Sequence, residues 1–453
     1  MSVACHLAFW DMDASHTAAP RYCVIGAGAA GLAAIRALVA RGLDFDCFEA
    51  TDQVGGHWHT DYDALHLITP RSGSGFRGDP MPAEWADFPR RSQMVEYLEG
   101  HADRFDLRRH VTFNTRVERL VPVGRNGLDG WEVTTSGGLT RRYAGVLVAN
   151  GHNSVPAIPS IPGSFSGKTL HSGAYRNPGD IEGTRVLVVG SGNSGCDIAS
   201  ELSQASYDVV LSVRKGHLFQ PKSFFGRPRG SLPIMKLPPR LLDPVLRFLI
   251  WMSVGRPEEY GLPKPVAKSL NDQRPVVNSL VLHWIQHGRI VPAPDLRRFD
   301  GKFVEFVDGS RHEVDTIVWA TGFQAALPFL PDELIRREHG IPLRVAGCIL
   351  PAGGPARLYF VGLCAPRGPQ LPVYSDQSDV IMDMLALQER LDGALVDVFT
   401  AADEPESRID IVRAYWNDQM DRTRRHLHDL ASRAPSTAGS DGATAREAAG
   451  VAR

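Results

Sequence analysis

Two glycine runs in this chain have the spacing that lets backbone approach a pyrophosphate. Gly26-Ala27-Gly28-Ala29-Ala30-Gly31 follows the apolar stretch Tyr22-Cys23-Val24-Ile25. Gly190-Ser191-Gly192-Asn193-Ser194-Gly195 follows Val186-Leu187-Val188-Val189. Each run opens a helical pattern. The first glycine permits a tight turn, the second the close approach of a phosphate, and the third close packing of helix on strand. The helix N-terminus attracts the anion. Ala29 and Ala30 in the first loop, and Ser191, Asn193 and Ser194 in the second, fall where backbone and side chain meet the pyrophosphate. One such unit holds one dinucleotide, so two predict two dinucleotides held together, a flavin and a nicotinamide.

The next strand of each unit separates the two sites. Phe45-Asp46-Cys47-Phe48 ends in Glu49, and a carboxylate there accepts hydrogen bonds from ribose hydroxyls, which suits FAD or NAD; the first site is read as the FAD site. Asp208–Val213 ends in Arg214 and Lys215. A carboxylate there would repel a 2′-phosphate, whereas a guanidinium grips it bidentately, so the second site suits NADPH.

The elements around these loops repeat. After the first unit come a structured excursion (61–92), a helix near 92–104, a strand meander, and a strand that ends in Ala149-Asn150-Gly151. After the second come another Pro-, Gly- and Lys-rich excursion (216–245), a meander with an Asp308-Gly309 hairpin turn, and a strand that ends in Ala320-Thr321-Gly322-Phe323. Small residues such as Ala149, Thr321 and Gly322 let backbone lie close to a cofactor. A last strand, Leu358–Gly362, returns to the first sheet, and a helix near 376–390 follows. The fold is therefore read as α/β, with two Rossmann-like, three-layer dinucleotide-binding domains, the NADPH domain inserted into the FAD domain. The divisions are a loose extension (1–20), an N-terminal segment of the FAD domain (21–155), the NADPH domain (156–325), a C-terminal segment of the FAD domain (326–433) and a disordered tail (434–453).

A chain of 453 residues is long enough for two or three cores. Its net charge of −2 gives no electrostatic case for nucleic acid as a partner. The six cysteines, Cys5, Cys23, Cys47, Cys196, Cys348 and Cys364, show no paired spacing, so neither a disulfide framework nor a metal site is expected. His57, His59 and His66 lack the carboxylate or thiol spacing of a metal site. Residues 1–20 lack the basic start of an export signal, and no apolar stretch reaches the ~20 residues of a spanning helix. A cytoplasmic protein without a transmembrane segment is expected, and a homodimer stays open. The most apolar segment, Val245–Val254, reads as a buried or partner-covered helix, with a membrane-touching lip as the alternative.

Between the glycine runs lies Phe165-Ser166-Gly167-Lys168-Thr169-Leu170-His171, followed by Tyr175. This resembles the FxGxxxHxxx(Tyr/Phe) signature of flavin-containing monooxygenases. Gly55-Gly56-His57-Trp58 resembles that family's GGxW flavin loop, and 315–323 resembles its late strand ending in Ala-Thr-Gly-aromatic. The resemblance covers roughly 21–390. The stretches from Tyr62 to Arg71 and around Gly261-Leu262-Pro263 are closer to the auxin-forming plant branch and its bacterial relatives. Ile68 stands where the amine-oxidising branch carries an Asn.

The resemblance implies that NADPH reduces FAD and that the reduced flavin captures dioxygen as a C4a-(hydro)peroxide. One oxygen atom then passes to a small organic substrate, by N- or S-oxygenation or by oxidation of a 2-oxo acid. It implies flavin contacts for Gly56 and Trp58, and backbone contacts to the FAD adenine for Val117. His171 and Tyr175 steady the linker near NADP⁺, and Arg71 faces flavin or substrate. An FAD- and NADPH-dependent reductase that inserts no oxygen is the alternative, as is a nucleotide-binding redox sensor.

Overall fold

Each apolar strand ahead of a glycine run lies at the centre of a five-stranded parallel sheet. The computed structural model describes residues 21–435 except Lys268; the extension 1–20 and most of the expected tail, residues 436–453, lie outside the described residues. The first sheet runs in the order Leu358–Phe360, Gly145–Val148, Tyr22–Ile25, Phe45–Phe48, Val111–Thr112. The second runs Lys168–His171, Thr316–Trp319, Arg185–Val189, Asp208–Ser212, Ile290–Ala293. All neighbours in both sheets are parallel.

The two sheets are position-for-position equivalents, and so are their layers. Alternate side chains of the first central strand enter different cores. Tyr22 and Val24 face the helices Ala29–Ala40 and Leu371–Gln388, while Cys23 and Ile25 face Trp131, Val133 and Tyr143 of a three-stranded antiparallel meander. In the second sheet Val186 and Val188 pack with Ile198, Leu202 and Leu282 of helices Asn193–Gln204 and Leu280–Gln286. Leu187 and Val189 pack with Val304 and Phe306 of a matching meander. Covering on both faces is why these strands read as unbroken apolar runs rather than alternating ones.

Every strand of the second sheet lies between Val148 and Leu358, so one unit is inserted into the other. The return strand Leu358–Phe360 completes the first sheet beside Gly145–Val148, and the 371–388 helix packs on the first glycine-loop helix.

The apolar segment near 245–254 belongs to the helix Pro239–Val254. It is two-faced rather than fully covered. Leu246 and Ile250 are buried, whereas Leu241, Phe248 and Met252 are exposed, Met252 to 63 %. No helix among the described residues is long and apolar enough to cross a membrane.

Candidate functional site: paired cofactor loops

The two glycine loops are built by the same constraints. Gly26 and Gly190 take φ of 98° and 106°, a region that side chains with a Cβ rarely enter. A Cβ on Gly31 would sit 1.9 Å from the Gly26 carbonyl oxygen, and one on Gly195 would sit 1.9 Å from that of Gly190. The strand partners close the fit. A Cβ on Gly26 would meet the Ala149 carbonyl at 2.8 Å, and one on Gly190 the Ala320 carbonyl at 2.5 Å. Gly28 and Gly192 are the N-caps of their helices, with no side chain capping either, so the first turns present backbone N–H groups.

Above the first loop is a cavity of about 390 Å³. It is lined by Gly26, Gly28, Ala29, Ala30, Glu49, Gly56, Trp58, Val117 and Ala149, and these residues suit a dinucleotide. Gly31 lies beneath the turn as packing. Glu49 is buried and has two jobs. Its Oε2 accepts from the Ala27 N–H at 2.7 Å, and its Oε1 accepts from the N–H and hydroxyl of Thr51, both at 2.9 Å. Glu49 thus ties the turn to the end of the second strand while one edge stays on the cavity. Trp58 sits in the short 3₁₀ turn Gly56–His59 and stacks on His57 at 5.2 Å.

Sequence reasoning missed several lining residues: Thr115, His152, Asn153, Phe329, Gly362 and Tyr374. His152 is pushed down to about 4 by burial, and its Nδ1 lies 3.1 Å from the Gly362 carbonyl. Only the turn Ala149-Asn150-Gly151 before it hinted at the site.

At the second loop, a Cβ on Gly192 would meet nothing within 4 Å, which leaves room for a phosphate. Asn193 accepts the Val277 N–H at 2.8 Å. Ser191 is buried, and Ser194 bonds to the Tyr62 side chain. Arg214 and Lys215 are exposed at the end of the second strand, and neither pairs with a carboxylate among the described residues. Two unneutralised cations at that position suit a 2′-phosphate.

The linker signature is structural in its contacts. Gly173 N–H donates to His171 Nδ1 at 3.1 Å, which leaves the proton on Nε2, and Nε2 donates to the Gly322 carbonyl at 2.9 Å. Burial lowers the His171 pKa, so the ring stays neutral. Tyr175 is fully buried and donates to Glu201 at 2.8 Å; burial raises both groups. Phe165 packs on Phe299 at 5.7 Å, and a Cβ on Gly167 would strike the Asp315 carbonyl at 2.3 Å. Thr321 donates to Ala157 at 2.5 Å, so the linker is held at both ends of this loop.

Arg71 is placed differently. Its Nε donates to the Trp85 carbonyl at 2.8 Å, and it is not among the residues lining the cavity over the first loop.

The segment after the flavin loop joins the two sites. The Arg176 guanidinium donates to the carbonyls of His59 and Asp61, each at 2.7 Å, and Asp63 N–H donates to the Arg176 carbonyl at 2.8 Å. Tyr62 reaches Asp197, on the helix of the second loop.

Two dinucleotide-binding sheets, one inserted in the other and clamped at their cofactor loops, define a two-cofactor flavoprotein. The model of the family described as flavin-binding monooxygenase-like matches residues 19–392, and the chain belongs to that family. It is 32 % identical over 378 residues to rat flavin-containing monooxygenase 3, covering 77 % of this chain and 70 % of that one. It is 31 % identical over 335 residues to a probable indole-3-pyruvate monooxygenase of Arabidopsis thaliana, covering 70 % and 79 %. Among solved structures, cyclohexanone monooxygenase in its open form shares the fold with a TM-score of 0.69 at 21 % identity, covering 92 % of this chain and 98 % of that one. A flavin-containing monooxygenase from Stenotrophomonas maltophilia gives 0.61 at 22 %, covering 81 % and 98 %. The chain is a flavin-dependent monooxygenase with FAD and NADPH as its cofactors.

Proposed function

We propose that this enzyme inserts one oxygen atom into a small organic substrate, at a soft nitrogen or sulfur or in the oxidation of a 2-oxo acid. The first glycine loop, with Glu49, Gly56, Trp58 and Val117, holds FAD, and the second, with Arg214 and Lys215, holds NADPH. The supporting observation is the clamp of His59, Asp61 and Tyr62 onto Arg176 and Asp197, which fixes one loop against the other. When bound, FAD supplies the oxygen-activating chemistry and NADPH the reducing equivalents.

The protein's own role is to bind, orient and shield. Backbone N–H groups at the two helix N-termini take the pyrophosphates. Glu49 holds the first turn and meets a ribose. His171 keeps its Nε2 proton on the Gly322 carbonyl and therefore steadies the loop rather than moving a proton. No acid–base pair is required of the chain, because the cofactors carry the bond-making. Arg71 acts at a distance, by holding the 61–92 excursion through Trp85. Ile68, in place of an Asn, turns the preference away from trimethylamine-type substrates.

The reading extends to a cytoplasmic enzyme acting on small molecules, with the divisions at 155/156 and 325/326 marking the inserted domain. It is tested by turnover under ¹⁸O₂ with NADPH and three probes: methyl phenyl sulfide, N,N-dimethylaniline and indole-3-pyruvate. Incorporation of one labelled oxygen atom into one of the three products supports the proposal. Stoichiometric peroxide with no labelled product from any probe contradicts it.

A further inference from the structure

The excursion beyond the second strand end encloses another cavity, of about 300 Å³, which shares no lining residue with the one over the first glycine loop. Its apolar wall is Phe219, Ile250, Val254, Leu270 and Leu282, and Trp251, 47 % exposed, stands at the mouth. Among the described residues, its charged lining is Arg247, Arg256 and Lys264 against the carboxylate of Glu258 alone. These four are exposed, whereas Phe219, Ile250 and Leu282 are buried, so the cavity has an apolar floor and a mainly cationic rim. Arg256 and Lys264 form no ion pair among the described residues.

Polar bonds hold the walls in place. Asp243 Oδ1, on the helix Pro239–Val254, accepts from the Leu270 N–H at 2.9 Å and from the Ser269 hydroxyl at 3.0 Å. The Leu270 carbonyl accepts from Arg367 Nη1 at 2.8 Å, and Arg367 is itself paired with Asp410 at 2.8 Å. The Tyr260 hydroxyl donates to the Val254 carbonyl at 2.6 Å, and the Leu218 carbonyl accepts the Val276 N–H at 2.9 Å. An empty apolar hollow forfeits dispersion contacts that a collapse of its walls would recover, and these bonds oppose that collapse. A preformed hollow of this size, mostly apolar with a few charged groups at one edge, has the composition of a small-molecule site. The rim selects a negative charge, and the floor selects a ligand that also carries an apolar body.

We propose that this cavity binds an amphipathic monocarboxylate, with its apolar body against Phe219, Ile250, Leu270 and Leu282 and its carboxylate at Arg256 and Lys264. Burial of the body supplies affinity, and the two cations supply preference for an anion. The site is independent of the oxygenation reaction. It adjoins the nucleotide side, since a Cβ on Gly216, the residue after Arg214 and Lys215, would lie 2.1 Å from the Lys264 carbonyl. No residue of the second glycine loop lines it.

The test is isothermal titration calorimetry on the full-length, FAD-loaded protein with decanoate, decanol and decylamine, each kept below its micelle or solubility limit. Saturating NADP⁺ is present, so that the second loop is filled. The expected result is one decanoate per chain, with decanol weaker by roughly tenfold and decylamine weaker still. In the double variant Arg256→Gln, Lys264→Gln, decanoate should fall to the level of decanol while decanol is unchanged. In Ala267→Phe, whose added ring takes up space at the cavity wall, neither should bind, with retained FAD absorbance showing that the variant is folded. No saturable decanoate binding, or binding unchanged in the double variant or in folded Ala267→Phe, overturns the proposal. Decanoate that binds without NADP⁺ and is displaced by it also overturns the proposal, because the anion would then sit on the phosphate cations of the second loop.

Discussion

The Tyr62 hydroxyl donates to Asp197 Oδ2 at 2.9 Å, and Asn278 Nδ2 donates to the other carboxylate oxygen at 2.6 Å. One side chain from the flavin side and one from the segment just before the helix Leu280–Gln286 thus meet on the helix of the second glycine loop. Removing the Tyr62 hydroxyl leaves a buried carboxylate short of a donor, at a cost of about 1–3 kcal/mol. Tyr62→Phe is therefore expected to lower the denaturant midpoint. It should also slow flavin reduction by NADPH more than it weakens NADPH binding. A variant that loses stability but reduces flavin at the normal rate would limit Tyr62 to a structural role.

Asp197 itself has a pH signature. Burial holds its carboxyl above the usual range, against the opposing effect of the Tyr62 bond. The fold favours the protonated form, so its contribution is fully present at low pH and is lost as pH rises through the raised value. The stability of the natural protein relative to Asp197→Asn should fall as pH rises across the acid range. Urea unfolding at a series of pH values checks this, and a constant difference would contradict it.

Three histidines give the opposite slope. Burial pushes His101 and His152 down to about 4 and lowers His171 as well. Unfolded histidine titrates near ~6.5. Their stabilisation is present above that value and is lost as pH falls toward the folded values. The thermal midpoint should therefore decline below about pH 6.5, and His171→Asn should flatten some of that decline. An unchanged profile in this variant would mean that His171 is not neutral in the fold.

Arg214 and Lys215 stand exposed at the second strand end without carboxylate partners among the described residues. Losing a charge-assisted phosphate contact costs about 1.5–3 kcal/mol, or roughly 10–100-fold. The double variant Arg214→Ser, Lys215→Ala should raise the KM for NADPH by that factor and leave the KM for NADH and the flavin content nearly unchanged. Equal losses for both nucleotides would place the 2′-phosphate elsewhere.

Much of this architecture was legible because glycine chemistry and strand burial are local. The Gly26–Gly31 and Gly190–Gly195 turns, the return strand at 358–360 and the inserted order of the sheets follow from short patterns with few physical alternatives. Strand Thr140–Tyr143 was not legible, because its outward residues are polar and it pairs only as the rim of a meander. For Val245–Val254 hydrophobicity says that a segment needs cover but not which faces receive it within the chain: Leu246 and Ile250 are buried, while Phe248 and Met252 are exposed. The Gln377 amide that joins Gly347 to Cys364 was invisible for a different reason: its partners lie on other elements than its own helix. For Arg71 the place after the flavin loop was legible, but not the contact of its Nε with the Trp85 carbonyl, which is fourteen residues on.

The most direct test of the two-loop account is anaerobic mixing with NADPH, followed by the flavin's visible absorbance, in the natural protein and in Gly195→Ala. The added Cβ would lie 1.9 Å from the Gly190 carbonyl and distort only the second loop. The account predicts rapid bleaching in the natural protein, and a variant that carries its full FAD but bleaches slowly or not at all. Bleaching of Gly195→Ala at the natural rate and NADPH concentration would contradict the assignment of the second loop to NADPH, and with it the proposal that two clamped loops present one cofactor to the other.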